Sequence, residues 1–554
     1  MVFTGNEIIT LQFGHYSNFI GTHWWNCQEA GFEYIPDTPS EINHDVLFRE
    51  GQTSRGEVTY TPRLLLVDLK GSLGCLTEEG RLYGVTPGAD ATLPLWPPDK
   101  VTVQTQASEP KNEFLQDLEQ AETLASPLPN ELKESGKAVP KLYHLDNDVK
   151  SWSDFLRPHL HPRSINLVQE YQHEDPSLPF DTFPQGQDIW RKPRFSEELT
   201  DRVRLYLEET DNLQGFQVLM DSQDGFSGLG CSALQYLRDE YPSKVCLCLP
   251  CQPPQASPLA LHKVLNLSLA LSSLAELSSL FCPISGTTSG WRDLGKSVQL
   301  PFLQYKSDLY YHTSAVVAAA VDSMSLVYRL RAEPERLADL TARLGMYGRR
   351  AAALSVMLPF PLRVDATLLD ALERWEGPLT HPLTPLTDLQ TGVWQQTLVL
   401  RGVPESRLMR ADQRNMSSSN PAYSCRSLAH LLQTFLQFDS QTTVHTKVIT
   451  AENKLPTSAP FPHLFLQHIS QDGLLQDTSR PSYTGVEKVP VLAGLHSCQS
   501  LGHSLETLHS EAKRINIRSL HQFASAGLES LELLESLEQL LCLSELYSDH
   551  QMDF

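Results

Sequence analysis

Short apolar runs alternate with amphipathic, helix-like stretches along much of the chain. The apolar runs have the length and composition of buried strands and lie at Glu7–Gly14, Arg63–Leu69, Phe216–Ser222 and Lys244–Pro250. Stretches with helical spacing lie at Ser17–Gly31, Glu197–Asn212 and Cys231–Tyr241. Strands that alternate with helices form parallel sheets covered on both faces. The pattern therefore predicts the α/β class, with ligands at the carboxyl ends of the strands.

Two segments depart from this alternation. Residues 108–150 are charged, poor in β-branched residues and marked by Pro127, Pro129 and Pro140, which predicts a surface insertion or linker, partly disordered. From Leu505 to Leu546 the sequence is strongly helical, and leucines recur at steps of three or four. We expect this stripe to face the core or a protein partner, and its members are Leu528, Leu531, Leu534, Leu537 and Leu541.

The balance of charge narrows the class of partner. Among 554 residues there are 66 acidic and 44 basic side chains, a formal net charge of −22. A surface that follows nucleic-acid phosphates needs an excess of Lys and Arg, so we expect no nucleic-acid partner. No apolar window long enough to cross a bilayer occurs, the N-terminus lacks a targeting pattern, and the 10 cysteines have no regular spacing. These features predict a soluble intracellular protein.

Two chemical motifs match in their letters but not in their context. Gly290–Ser297 fits the P-loop pattern, yet Trp291 and the carboxylate of Asp293 stand where backbone amides would surround a phosphate. We interpret this match as a coincidence. The Cys246–Cys251 run has no histidine at zinc-finger spacing nearby and is interpreted as buried free thiols. The sequence therefore predicts no metal site.

A glycine-rich loop is the best candidate for a binding function. Asp221–Gly230 reads DSQDGFSGLG and lies after a predicted strand and before a predicted helix. Glycines let backbone amides approach an anion, and a helix N-terminus attracts negative charge. The same pattern is at least as typical of a tight glycine turn without a ligand. Both interpretations stay open on the pattern alone.

The order of several motifs resembles that of tubulins. Glu7–Gly14 followed by Asn18–Gly21 is similar to the tubulin nucleotide loop EIVxIQxGxxxNxIG, and Tyr60–Leu69 is similar to YxPRxxxxDL. Leu213–Phe216 and Gly225–Gly230 fall on the tubulin signature LQGF…GGTGSG. From the stretch GHYSNFIGTHWWN and the whole arrangement, the chain is identified as a member of the Misato family. These tubulin-related proteins are linked to mitochondrial distribution and morphology.

The resemblance implies a tubulin-like α/β fold with three parts. They are a Rossmann-type N-terminal domain with a parallel sheet, an α+β second domain and a C-terminal helical layer. The implied boundaries are 1–107 for the first part of the nucleotide domain, 108–150 for the charged insertion, 151–331 for the second part with the central helix, 332–504 for the second domain and 505–554 for the acidic C-terminal helices.

Departures from the tubulin pattern weigh against GTP hydrolysis. His15 stands where tubulins have a nucleotide-contacting Gln, and Lys70 replaces an acidic residue near magnesium, where a positive charge opposes the ion. Asp224 and Phe226 interrupt the glycine run. A register that places the tubulin hydrolysis loop at Asp339–Ala342 leaves no water-polarising carboxylate. We therefore predict a scaffold without turnover, and no enzyme.

What remains of the nucleotide pocket is implied by the positions that match tubulin. GTP binding there is left open, and no other cofactor is expected. A residual pocket would rest on Gly14, Asn18, Gly225, Ser227, Gly228 and Gly230.

The resemblance implies a non-catalytic regulator of mitochondrial distribution, morphology and fusion, cytoplasmic and peripheral at the mitochondrial outer membrane. Tubulin and the cytosolic ring chaperonin are the implied partners, with a link to spindle and microtubule assembly. The alternative is a GTP-binding, self-polymerising tubulin-like GTPase. The C-terminal end favours a basic protein partner over anionic lipid, because no Lys or Arg follows Arg518. Its acidic residues are Glu529, Glu532, Glu535, Glu538, Glu545, Asp549 and Asp553.

Overall fold

The computed structural model describes the greater part of the chain. The described residues are 6–32, 40–52, 58–78, 80, 82, 109–125, 141–254, 258–287, 290–292, 296–390, 392–410, 421–439, 445–516 and 520–548. Within these ranges, the chain forms two large sheets and a long buried helix.

A parallel sheet forms the centre of the N-terminal domain. The strands of this domain are β1 (Ile8–Phe13), β2 (Phe48–Gln52), β3 (Val58–Pro62), β4 (Leu64–Lys70), β5 (Ile165–Gln172), β6 (Gly215–Asp221), β7 (Val245–Gln252), β8 (Leu280–Phe281) and β9 (Ile284–Ser285). The sheet order is β5-β4-β1-β6-β7-β8 with β9 beside β7, and β2 and β3 form a separate hairpin. All pairs within the sheet are parallel, so the carboxyl ends of the strands share one edge.

Helices cover both faces of this sheet. They are α1 (His15–Ala30), α2 (Glu113–Ala125), α3 (Phe183–Trp190), α4 (Pro193–Glu208), α5 (Gly225–Glu240) and α6 (Leu261–Leu277). Successive residues of β4 enter different cores: Leu64 and Leu66 pack in the core that contains α1, whereas Leu65 and Val67 pack in the core that contains α5 and α6. Alternation of side chains across a strand explains why a continuous apolar run is needed here.

The second domain is mixed. The long helix α7 (Tyr310–Arg329) leads into it. Its strands are β10 (Ala353–Met357), β11 (His381–Pro382), β12 (Val393–Arg401), β13 (His445–Ala451), β14 (Leu455–Pro456), β15 (Lys488–Val489) and β16 (Val491–Cys498), and its helices are α8 (Leu337–Leu344), α9 (Leu368–Arg374) and α10 (Leu428–Asp439). The larger sheet has the order β11-β10-β16-β12-β13, antiparallel except for the β12–β13 pair. The predicted α/β class, with a parallel sheet in the N-terminal domain, is confirmed.

A buried ion-pair network ties α7 to the second sheet. The carboxylate of Asp322 on α7 accepts hydrogen bonds from Arg329 at 2.7 Å and from Arg401 of β12 at 2.5 Å. All three side chains are almost fully excluded from solvent. Although burial raises the pKa of Asp322, the two guanidinium groups hold it below its usual value. The network stays charged and fixes the helix against β12.

The segment 108–150 is only partly the surface linker that the sequence predicts. Residues Glu113–Ala125 form α2, and Phe114 and Leu115 on its first turn are buried in the core that contains α1. Leu145 joins the same core, while residues 126–140 lie outside the described residues. Leu118, one turn further along α2, packs against the same core, so the helix has an apolar face although its overall composition is charged.

The C-terminal layer consists of α11 (Ser500–Lys513), α12 (His521–Ser525) and α13 (Ser530–Glu545). The predicted leucine stripe does not face the core along its whole length: Leu531 and Leu534 are 62% and 58% exposed, whereas Leu537 is buried. The other leucines of α13 that are buried lie outside the predicted stripe, at Leu533, Leu540 and Leu543. Leucines occur on two faces of α13, so periodicity could not decide which face packs against the body. Asp549 and Asp553 lie outside the described residues.

Acid is expected to destabilise the fold through buried histidines. His496 of β16 lies between Ser355 at 2.7 Å and Gln396 at 3.1 Å, and burial lowers its pKa to about 3. Its folded pKa lies below the unfolded value of about 6.5, so the unfolded state binds more protons below pH 6.5. Stability should therefore fall by about 1.4 kcal/mol per pH unit for this ring as pH drops from 6.5 towards 3.

Urea unfolding of His496→Gln against the wild type, between pH 7.5 and 5, measures this contribution. We expect a shallower loss of stability in the variant, and no change of slope in the control His503→Gln, whose side chain is exposed. Equal slopes for wild type and His496→Gln would contradict the assignment. His23 of α1, with a pKa lowered by burial to about 3, should act in the same direction.

Candidate functional site

A cavity of about 520 Å³ opens at the carboxyl edge of the parallel sheet. Its walls come from residues that follow β1, β5 and β6, from the starts of α5 and α6, and from the N-terminus of α7. Ligands of parallel α/β sheets bind at this edge. The cavity is therefore the candidate site, as the strand pattern predicts.

Asp221, the last residue of β6, occupies the N-terminus of α1. Its carboxylate accepts hydrogen bonds from the backbone N–H groups of Tyr16 at 3.0 Å and Ser17 at 2.8 Å, and from the Ser17 hydroxyl at 2.7 Å. Such N–H groups have no partner within a helix and are the ones that hold phosphates. Gly14 permits the approach, because its φ is 110° and a Cβ there would lie 2.4 Å from Asp221 Oδ2. The chain's own carboxylate fills this anion site.

The N-terminus of α5 is occupied in the same way. The Asp224 side chain accepts a hydrogen bond from the Phe226 N–H at 3.0 Å, and its carbonyl accepts from both the N–H and the hydroxyl of Ser227. The N–H of Gly225 donates to the carbonyl of Phe180 at 3.2 Å. The Phe180 ring also fills the space beside Gly225, 2.6 Å from where a Cβ would stand. These amides are engaged before any ligand arrives.

The remaining predicted site residues have structural roles. At Gly228 a Cβ would lie 1.9 Å from the carbonyl oxygen of Phe183, so this glycine lets α3 and α5 touch. Gly230 faces a β6 side chain, and the Asn18 amide donates to Asp68 Oδ2 at 3.1 Å. All six predicted residues lie within the described part of the chain, and none lines the cavity. Nucleotide binding through them stays a prediction.

The cavity wall is acidic. Burial raises the pKa of Asp224 to about 7, and burial together with nearby Asp224 raises the pKa of Asp221 well above its usual value. A magnesium nucleotide does not fit these residues, because the N–H groups at the starts of α1 and α5 are already hydrogen-bonded to Asp221 and Asp224. The lining carboxyl groups are Asp146, Glu174, Asp175, Asp221, Asp224 and Asp308, against the amines of Lys150 and Lys263.

Lys70 is not part of the site, contrary to the expectation that it opposes a magnesium ion there. It is exposed at the end of β4 and does not line the cavity. The pairing of β4 with β5 shifts register between Leu69 and Lys70, so regular strand alternation does not determine where the Lys70 side chain lies.

A group that sequence reasoning missed stands at the edge of the cavity. His15, the first residue of α1, places Nδ1 at 3.2 Å from Oδ2 of Asp68, and its ring lies 4.1 Å from that of His173. Although burial raises the pKa of Asp68, His15 holds it below its usual value, and burial together with His15 lowers the pKa of His173. The available signal was weak: each histidine follows directly on a strand or lies within one residue of it.

Aromatic rings close the rest of the cavity. Phe226, predicted to crowd the loop, does line it and packs edge-on against Phe180 at 5.1 Å between ring centres. Gln223 also lines it, buried, with both polar side-chain atoms lacking a hydrogen-bond partner among the described residues. An acidic wall, aromatic faces and a free amide suit a neutral or cationic polar group better than a phosphate.

The other sequence candidates lie elsewhere. Trp291 of the P-loop-like run is buried and donates its indole N–H to the carbonyl of Ser504 at 2.6 Å, while residues 293–295 lie outside the described ranges. Asp339 and Ala342 are exposed on α8. The thiols of Cys246–Cys251 are free and buried, as predicted.

Comparison with known proteins decides the family. The family model described as Misato Segment II tubulin-like domain matches residues 6–120, and the one described as Tubulin domain matches residues 140–330. Protein misato of Drosophila melanogaster is 36% identical over 98% of this chain and 99% of its own length. The chain belongs to the Misato family. Protein misato homolog 1 of Homo sapiens is 35% identical over 98% of this chain and 98% of its own length.

A fungal protein extends the Misato comparison. Protein DML1 of Phaeosphaeria nodorum is 31% identical over 62% of this chain and 63% of its own length. The resemblance stated from the sequence motifs is confirmed, and the tubulin-like domains of this Misato chain coincide with the parallel sheet that carries the cavity. Among the helices of the described ranges, none has the length and apolar character needed to cross a bilayer.

Proposed function

We propose that this Misato-family chain is a non-catalytic, tubulin-like scaffold that regulates the distribution, morphology and fusion of mitochondria. It acts through protein contacts, with tubulin and the cytosolic ring chaperonin as partners and a link to spindle and microtubule assembly. It works in the cytoplasm and peripherally on the mitochondrial outer membrane. Membership of the Misato family and the tubulin-like domains support a scaffold of this class.

The proposal that the chain is not a catalyst rests on one observation: the side chain of Asp221 occupies the N-terminus of α1. Phosphate binding at that end would require the Asp221 carboxylate to leave three donors and the Gly14 backbone to lose its close contact. Asp224 repeats the arrangement at α5. Two internal carboxylates standing in for phosphate oxygens support a protein that keeps the tubulin shape without the nucleotide.

Purified full-length chain is expected to carry far less than one equivalent of GTP and to release phosphate from added GTP no faster than buffer alone. The physical reason is that the amides of Tyr16 and Ser17 are already bound. Nucleotide content by chromatography after denaturation and a phosphate-release assay measure both quantities. Polymerising tubulin under the same conditions is the positive control.

The opposite result supports the alternative function. Stoichiometric GTP with measurable turnover, or sedimentation that depends on GTP, would establish a self-polymerising tubulin-like GTPase. Asp221→Ala distinguishes a blocked site from an absent one: binding that appears only in this variant would show that the carboxylate alone excludes the nucleotide.

The proposed partner surface is the outward face of α13. Leu531 and Leu534 are exposed there, together with Glu535 and Glu538. Exposed leucines flanked by carboxylates suit a protein whose surface offers apolar and basic groups. The same carboxylates oppose anionic lipid, so the helix is proposed to bind protein rather than the membrane itself.

Reversing charge on α13, with Glu535→Lys and Glu538→Lys together, is expected to reduce the amount of tubulin or chaperonin that copurifies by about tenfold, since complementary charge is lost. The same variant should fail to restore a normal mitochondrial network in cells that lack the endogenous protein. Quantitative mass spectrometry of the purified complex and imaging of mitochondria are the two measurements.

A matched control places the same charge change on α4. Glu197→Lys with Glu208→Lys alters two exposed carboxylates of a helix remote in sequence, and should keep both partners and rescue. Equal loss in both double variants would indicate a general effect of net charge. If the α13 variant fully restores the mitochondrial network, the outward face of α13 is not the partner surface.

A further inference from the structure

Three side chains with metal-binding atoms converge at the edge of the cavity. His15 begins α1, Asp68 lies on β4 and His173 follows β5, so three elements of the sheet edge contribute one group each. Their ligand atoms all lie within 4.8 Å of one another, and within the described part of the chain no other His, Cys, Asp or Glu group does this. Both histidines line the cavity.

We propose that His15, Asp68 and His173 form a binding site for a divalent transition-metal ion of the zinc(II) class. Two imidazole nitrogens and one carboxylate oxygen suit zinc and its neighbours, whereas magnesium and calcium take oxygen ligands. The 3.2 Å between His15 Nδ1 and Asp68 Oδ2 fits the arrangement. Ligands about 2.0–2.1 Å from a tetrahedral zinc ion lie about 3.3 Å apart.

The electrostatics of Asp68 support an ion. Its side chain is 0% exposed, while His15 and His173 are 15% and 23% exposed. Within the described ranges, the ion-pair partner of this carboxylate is His15, and no Lys or Arg contacts it. A buried carboxylate needs a compensating positive charge or a metal ion. A divalent cation would supply that charge and remain accessible from the cavity.

The groups behind Asp68 orient it as outer ligands do in metal sites. Its Oδ2 accepts hydrogen bonds from the Trp152 indole at 2.8 Å and the Asn18 amide at 3.1 Å, and its Oδ1 accepts from the Leu69 N–H at 2.8 Å. Such contacts fix a ligating carboxylate. On binding, the proton on His15 Nδ1 moves to Nε2 or to solvent, since the same nitrogen bonds to the ion.

Three protein ligands leave a fourth position of a tetrahedral ion open. Because His15 and His173 line the cavity, water or a small polar ligand in the cavity could reach that position. The ion would also join α1 to β4 and to the end of β5. The site goes beyond the proposed scaffold function and does not rest on it: a chain without GTPase activity can hold this ion, and so can a GTPase.

The test uses full-length chain stripped with a chelator and titrated with cobalt(II), then with zinc(II) in competition with a chromophoric chelator. Wild type is expected to bind one equivalent of either ion and to show the visible spectrum of four-coordinate cobalt. His173→Ala should lose about tenfold or more in affinity. His173→Cys should retain binding and add a thiolate-to-cobalt charge-transfer band.

The control is His159→Ala. His159 and Glu122 form a histidine–carboxylate pair with the same separation, 3.2 Å, but without a third ligand. This variant should bind cobalt as the wild type does. No binding to wild type, equal affinity in His173→Ala, or equal loss in His159→Ala would overturn the proposal. Circular dichroism confirms folding, and His173→Cys answers the question if His173→Ala does not fold.

Discussion

Replacing Asp322 with alanine is expected to destabilise the fold by about 3–5 kcal/mol, because it leaves two buried guanidinium groups without their counter-ion. Arg329 and Arg401 both bind this carboxylate, at 2.7 and 2.5 Å, and each side chain is only 2% exposed. The loss should fall on the contact between α7 and the second sheet. Urea unfolding monitored by fluorescence and by far-UV circular dichroism measures it.

The control for Asp322→Ala is Asp201→Ala. Asp201 pairs with Arg204 at 3.0 Å on the surface of α4, where both side chains are more than half exposed. An exposed pair of this kind contributes about 0.2–1 kcal/mol. If the two variants lose similar stability, the buried network does not have the role assigned to it. Asp322→Asn removes the charge but keeps the shape of the side chain. Its free energy of unfolding should lie between that of Asp322→Ala and that of the wild type.

Gly228→Ala is expected to destabilise the chain by about 1–3 kcal/mol, although alanine is the better helix former. Its Cβ would lie 1.9 Å from the backbone oxygen of Phe183, and backbone cannot swing aside as a side chain can. Gly186 on the opposing helix has the same constraint, with a Cβ 1.9 Å from the Gly225 carbonyl oxygen. Thermal and urea unfolding check the prediction.

Gly230→Ala is the matched control, two residues further along the same helix. A Cβ there meets the end of the flexible Met220 side chain at 3.1 Å, which can shift by a few tenths of an ångström. We expect little change, or a small gain from helix propensity. If both variants lose the same amount of stability, close packing between α3 and α5 does not explain why Gly228 is a glycine. That result would favour the interpretation of this loop as a nucleotide site.

The local sequence predicts the position of the Asp221–Gly230 loop but not its role. The predicted position of this loop is confirmed, because it joins β6 to α5 at the sheet edge where ligands bind. The sequence left a phosphate loop and a plain glycine turn equally open. The structure favours the second, because the positions without side chains are filled by Phe180 and by the backbone of α3. Those partners are distant in sequence, so no local pattern contains them.

Asp224 lies in the cavity as the sequence predicts, whereas Lys70 does not. Asp224 was expected to repel a phosphate, and it does line the cavity and cap α5. The sequence predicts that Lys70 acts in the same site, yet it is exposed outside the cavity, next to a register shift in the β4–β5 pairing. Asp224 is the N-cap of α5, so its place follows from the start of the helix, whereas the place of a residue at a strand end depends on how the adjacent strand pairs.

The sequence by itself determined the α/β class, the strand–helix alternation and the Misato resemblance, because apolar periodicity and short motifs are local properties of the chain. Only the tertiary structure decided what occupies the helix N-termini, which leucines of α13 are buried, and that His15, Asp68 and His173 meet. Each of these depends on contacts between segments far apart in sequence. Parallel pairing of β5, β4 and β1 is what brings their ends, and the side chains beside them, to one edge.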